Sequence, residues 1–129
     1  MIDQVFTFNE QVIGLNDIEK NPLTQQQADW LCKFVEEELT EFVEAFETQD
    51  IVKMTDAVLD LVYGTLGTLK KMGLSREEAL ACFMAIHEAN MTKKRGDKGR
   101  GSDEDAVKPK EFVPPEDRIA AILFGGASA

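Results

Sequence analysis

An all-α fold follows from three features of this sequence. Apolar residues recur over long stretches with the 3.6-residue period of an amphipathic helix. Strand signals are nearly absent, and no internal repeat is visible. Helix ends are marked: Thr24 and Ser75 are good N-caps, and Gly14 and Gly73 follow apolar periodic runs, where glycine often ends a helix. A length of 129 residues favours one domain, and a hydrophobic share of 43% with eight Phe suffices for a small core. The expected domain spans 1–129, with a core over 24–95, a loop or lid over 96–117 and a short last helix over 118–124.

The elements follow in order. Val5, Phe6, Phe8, Val12 and Ile13 predict a short helix over Asp3–Ile13, ending at Gly14. Residues 15–23 form a loop closed by Asn21-Pro22. Thr24 then caps a second helix that runs to about Thr48, and a third covers about Asp50 to Met72 and stops at Gly73. Ser75 and Glu78 fit a capping box for a fourth helix reaching about Lys94. Residues 96–117 change character, with Gly, Asp, Lys and three prolines and almost no apolar periodicity. A loop of this length is usually either disordered or functional. RIAAILF (118–124) makes the last helix, ahead of a GGASA tail.

Charge narrows the function. Fourteen Lys and Arg against 24 Asp and Glu give a net charge of −10, which argues against nucleic-acid or anionic-membrane partners. An acidic protein that handles anionic substrates needs a cation as intermediary. Cys32 and Cys82 both lie in expected helices, so no disulfide framework is indicated. The N-terminus lacks a signal-peptide pattern, and no apolar run approaches the roughly 20 residues of a membrane helix. The cytoplasm is the expected setting, a host's cytoplasm for a viral protein.

Residues 34–46, FVEEELTEFVEAF, carry the first anomaly. At about 100° per residue, Leu31, Phe34, Val35, Leu39, Phe42, Ala45 and Phe46 form one apolar arc expected to face a core. Glu36 and Glu44 fall well outside it. Glu38 falls inside, Glu41 at its edge and Glu37 one step further round. A carboxylate within a core-facing stripe is costly unless it is paired or bound to metal. The third helix carries the second anomaly. In AVLDLVYGTLGTL (57–69) Asp60 is the one charge, in line with Asp56, Gly64 and Gly67. The glycines also fit plain close packing of helices, and apolar residues over the rest of the helix imply burial on most sides.

Glu38, Glu41, Asp56 and Asp60 thus converge on one seam, and such a group cannot stay ionised without a cation. Oxygen-only ligands select Mg²⁺ or Mn²⁺ over zinc. A di-iron bundle site needs two Glu-x-x-His pairs, whereas His87, the single histidine, has Met84 three residues before it. In HEANMTKKRG (87–96), His87, Asn90, Met91 and Lys94 are expected on one helical face, with Lys93 to Arg95 concentrating positive charge. Such cations suit a helix C-terminus, and beside a metal site they also suit a polyphosphate.

Glu37-Glu38-Leu39-Thr40-Glu41 resembles the EExxE signature of the all-α nucleoside triphosphate pyrophosphatases, which include MazG, the dimeric dUTPases and phosphoribosyl-ATP pyrophosphohydrolase. Asp60 matches the aspartate of their second signature, ExxD, while Ala57 stands where its glutamate would be and Asp56 lies one residue earlier. Asn90-Met91-Thr92-Lys93 and KPKEFVPPE (108–116) are similar to later segments of the phosphoribosyl-ATP branch, so the likeness covers about 24–116. It implies a four-helix MazG-like bundle and hydrolysis of a nucleoside triphosphate to monophosphate and pyrophosphate by two or three Mg²⁺ or Mn²⁺ ions. Glu37, Glu38, Glu41, Asp56 and Asp60 are the implied metal ligands, with Glu37 and Glu38 also catalytic. Asn90, Lys93 and Lys94 are the implied phosphate contacts. The short build resembles a phage-type group (MazZ) that acts on dGTP and GTP, and the family's oligomers imply a homotetramer, a dimer of dimers. Two alternatives accompany this reading: a dedicated phosphoribosyl-ATP pyrophosphohydrolase, and a non-catalytic helical interaction module, for which Ala57 is the best argument.

Overall fold

A computed structural model describes residues 1–125; the end of the expected GGASA tail, residues 126–129, lies outside them. The elements in chain order are α1 (Ile2–Gln11), α2 (Gln25–Glu47), α3 (Ile51–Lys71), α4 (Arg76–Asn90), β1 (Lys94–Arg95), β2 (Ala106–Val107) and α5 (Glu116–Leu123). The all-helical class holds. The chain falls into two compact units, one of residues Met1–Arg76 and one from Glu77 onward.

In the first unit, side chains close the exposed helix ends. Thr24 Oγ1 accepts from the Gln27 amide at 3.2 Å, and the Thr24 amide donates to Gln27 Oε1 at 2.9 Å, a reciprocal capping box for α2. Asp50 Oδ1 accepts from the amides of Val52 and Lys53 to start α3. The C-terminus of α3 closes through Gly73 at φ 84°: its amide donates to Lys70 O and that of Leu74 to Leu69 O, a Schellman motif. A Cβ at Gly73 would also lie 2.5 Å from Glu19 O. The left-handed conformation and the tight approach both call for glycine. Helix α1 ends at Gln11, two residues before the expected Ile13, where the Val12 and Ile13 amides share Phe8 O and the Leu15 amide reaches Asn9 O.

Helices α2 and α3 run antiparallel along each other, and α1 packs on α3. Val5 and Phe6 of α1 are fully buried, and Ala45 and Ala57 of the two longer helices are buried. Asn9 is buried against Gly67, with Nδ2 donating to Val5 O at 2.8 Å. The expected apolar arc of α2 divides: Phe34 and Phe42 are half-buried, whereas Leu39 is 56% and Phe46 55% exposed. The burial expected around α3 is also incomplete, with Val58 47% and Leu59 56% exposed. A helix in a unit this small has too few neighbours to cover all its sides.

In the second unit, Ala79, Cys82 and Ala85 are buried on α4. That helix stops at Asn90, four residues before the expected Lys94. The Thr92 hydroxyl takes Ala89 O at 2.7 Å, and the Lys93 amide turns to Asn90 O. Local bonds of this kind compete with helix propagation. Met91 and Lys94 therefore leave the helical face on which His87 and Asn90 were expected to join them. Lys94-Arg95 instead pair antiparallel with Ala106-Val107, a short hairpin that the strand signals did not show. Two ion pairs span its loop. Arg95 pairs with Asp103 at 3.4 Å and Arg100 with Asp105 at 2.8 Å; Arg100 and the Ala106 amide hold Asp105 down to a pKa of about 2. Helix α5 begins at Glu116 rather than Arg118, and Arg118 meets Glu88 at 2.7 Å.

Candidate metal centre

The seam between α2 and α3 brings three of the expected ligands together. One carboxylate oxygen from each of Glu38, Glu41 and Asp60 lies within 4.8 Å of the others. The helical spacing explains this: Glu38 and Glu41 are i and i+3 on α2, and Asp60 sits on the antiparallel neighbour that faces them. Glu38 is half-buried, while Glu41 and Asp60 reach the surface.

Glu38 Oε2 is closed to solvent and has no hydrogen-bond partner. A buried acceptor without a donor is costly. Burial raises the Glu38 pKa above the ordinary glutamate value, and the neighbouring charges of Glu41 and Asp60, a side-chain hydrogen bond with Glu41 and the charge of Asp56 push it the same way. The group therefore calls for a proton or a cation. Its donor set is oxygen only, in a cluster tight enough for one ion, and this fits Mg²⁺ or Mn²⁺.

Asp56 shares a depression between α2 and α3 with Glu41, Glu44, Ala45, Thr48 and Lys53. Ala57, where the signature would place a glutamate, is 3% exposed and packs in the interior, so the acid of this turn is Asp56. Glu37 lines an open depression along α2 with Lys33, Glu36, Thr40, Glu41 and Glu44. Glu44, assigned from the helical wheel to the solvated side, thus lines both depressions that contain Glu41. Its i+3 spacing from Glu41 and i+7 from Glu37 carried that signal. Lys53 was also missed; it lies three residues before Asp56 and seven before Asp60 and puts a cation beside the acids. Asn90, Lys93 and Lys94 belong to the second unit, where they occupy the end of α4, the turn after it and β1. There Lys93 Nζ and Lys108 Nζ both lie over the Phe112 ring, at 5.5 and 5.2 Å from its centroid.

The sequence profile of the phosphoribosyl-ATP pyrophosphohydrolase family matches residues 8–90. That span holds every acid of the cluster and Asn90, and it ends before Lys93 and Lys94. No curated protein and no solved structure matches the chain. Among the described residues, no helix is long and apolar enough to cross a membrane.

Proposed function

This chain belongs to the phosphoribosyl-ATP pyrophosphohydrolase family, within the MazG-like all-α nucleotide pyrophosphohydrolases, and on that premise we propose that it hydrolyses (d)GTP to (d)GMP and pyrophosphate with a divalent metal. The observation that carries this reading is the Glu38–Glu41–Asp60 cluster with its orphaned Glu38 oxygen. Glu38, Glu41 and Asp60 would hold Mg²⁺ or Mn²⁺, with Asp56 at the adjoining turn and Glu37 on the outer side. Bound there, the metal supplies charge neutralisation for the triphosphate and a lower pKa for the attacking water. Glu37 would orient the attacking water towards the α-phosphorus and take up its proton as pyrophosphate leaves. Asn90, Lys93 and Lys94 are assigned to phosphate oxygens by the resemblance alone.

Phosphoribosyl-ATP is the second candidate substrate, because the matching family carries its name. A nucleotide panel with Mg²⁺ or Mn²⁺, scored for pyrophosphate against orthophosphate, separates the two. Faster turnover of GTP or dGTP than of pyrimidine triphosphates, with pyrophosphate released, is the expected result. Preference for phosphoribosyl-ATP, dUTP or dCTP, or release of orthophosphate alone, would refute it.

A homotetramer is proposed as the working form. Its support is the apolar surface that the chain alone leaves open: Ile51, Val52, Val58 and Leu59 on α3, and Leu39 and Phe46 on α2. Light scattering is expected to give about four chain masses at micromolar concentration, and a mass near 14.4 kDa would sink the assembly.

A further inference from the structure

The acid cluster occupies one level of the α2–α3 seam, and the levels beside it hold groups that metal binding does not use. Facing residues climb along one helix as they descend along the other. Glu38 faces Asp60, Phe34 faces Gly64, and Trp30 faces Lys71. Trp30, Phe34 and Glu38 are i, i+4 and i+8 on α2, so the indole stands roughly 12 Å along the helix from the acids. That is about the reach of a nucleoside whose phosphates lie at the cluster.

Trp30 is 45% exposed, yet it is held in place. Its ring stacks on Phe34 at 5.2 Å between centroids and 6° between planes. Phe34 in turn lies against Gly64, where any Cβ would overlap the phenyl ring. The Lys71 ammonium rests over the indole, 3.4 Å from its centroid. Lys71 is half-buried, and among the described residues no carboxylate pairs with it; burial alone lowers its pKa. Its neighbour Lys70 differs, bonding Glu10 at 3.0 Å. The indole face meets the charge of Lys71, but among the described residues no hydrogen-bond acceptor meets its ammonium, so its donors are free for one.

We propose that Trp30 and Lys71 form the nucleobase subsite, in which the indole stacks the base and the Lys71 ammonium reads the acceptor edge of a 6-oxopurine. A base takes the ring face on which the ammonium rests, and the flexible lysine swings to the base edge. Guanine presents two adjacent acceptors there, O6 and N7, whereas adenine pairs its N7 with an amino donor. An ammonium offers donors only, so it meets both guanine atoms and is opposed by the adenine amine. This inference rests on the nucleotide reading above and assigns the part of that reading which concerns the base.

Trp30 is the one tryptophan of the chain, so its emission reports on this ring alone. The test titrates the full chain with α,β-methylene analogues of GTP and ATP, following emission and, in parallel, heat of binding. Saturable quenching by both is expected, with the guanine analogue at least about tenfold tighter. Lys71→Met is expected to reduce that preference to less than about threefold while quenching persists. Calorimetric binding that leaves Trp30 emission unmoved, or a K71M protein with the full preference, would overturn the subsite alone. Absence of any calorimetric binding overturns the nucleotide reading and the subsite together. If K71M does not fold, quenching and the guanine preference of the unaltered chain decide the question.

Discussion

Glu10 and Glu38 are the same residue type in the same compact unit, and the fold treats them in opposite ways. Glu10 accepts from both terminal nitrogens of Arg76, at 2.8 and 2.9 Å, and from Lys70 at 3.0 Å. Arg76 also reaches Thr7 and Asp3, at 3.1 Å each. Arg76, and then Lys70, hold the Glu10 pKa down to about 2. Glu38 has acids where Glu10 has cations, and its pKa moves up. A carboxylate whose partners are all within the chain braces a fold. One ringed by other acids has no cation within the chain to balance it, and the proposed metal would supply that charge.

The largest expected effect breaks this contrast at Glu38. Glu38→Gln keeps the size of the side chain, removes its charge and is expected to lower turnover at least ~100-fold, since one preorganised electrostatic group is often worth about 2.7–4 kcal/mol. Its metal-free form is expected to melt no lower than the unaltered protein, because one source of repulsion has gone. Glu47→Gln, at the exposed end of α2, is the control now that Glu44 lies beside the acids. It is expected to leave turnover unchanged and to shift stability within roughly 0.5 kcal/mol. Equal turnover in the two variants would reduce the cluster to an acidic surface.

Metal addition sharpens the contrast with an intermediate effect. At about a hundredfold excess over Kd, a ligand specific to the native state stabilises it by about 2.7 kcal/mol, so Mg²⁺ or Mn²⁺ is expected to raise Tm by ~5 °C or more. EDTA should reverse the rise, Glu38→Gln should shrink it, and Glu10→Gln should leave it intact. An unchanged Tm at millimolar metal in the unaltered protein would count against the site.

The smallest effect is in pH dependence without metal, and the two glutamates give it opposite signs. The folded pKa of Glu10 lies below its ordinary value of 4.5, so its contribution to stability is complete above that value. It is lost as pH falls towards about 2. The folded pKa of Glu38 lies above 4.5, so its contribution is present below that value and is lost as pH rises through the folded pKa. Melting in EDTA across this range should show Glu10→Gln flattening the acid-side loss and Glu38→Gln flattening the decline on the other side. Curves that coincide for both variants and the unaltered chain would remove the distinction.

Much of this molecule was legible in its residues. Periodicity and caps located all five helices, and Thr24, Asp50 and Gly73 placed three of their ends to within a residue, because capping is a contact among neighbours in sequence. Glu38 stood out on the wheel because an acid within an apolar stripe violates a local rule, and Asp60 stood out in the same way. The hairpin of β1 and β2 was hidden, since its strands are two residues each, too short for an apolar alternation to register. Tertiary structure alone decided how much of the apolar arc of α2 is covered, and so left Leu39 and Phe46 open. It also decided that Glu10 meets Arg76, 66 residues away, and that Lys71 comes to rest on Trp30. Periodicity tells how wide an apolar face is, but the partner that covers it and the charge that meets it come from distant parts of the chain, through packing that no local pattern encodes.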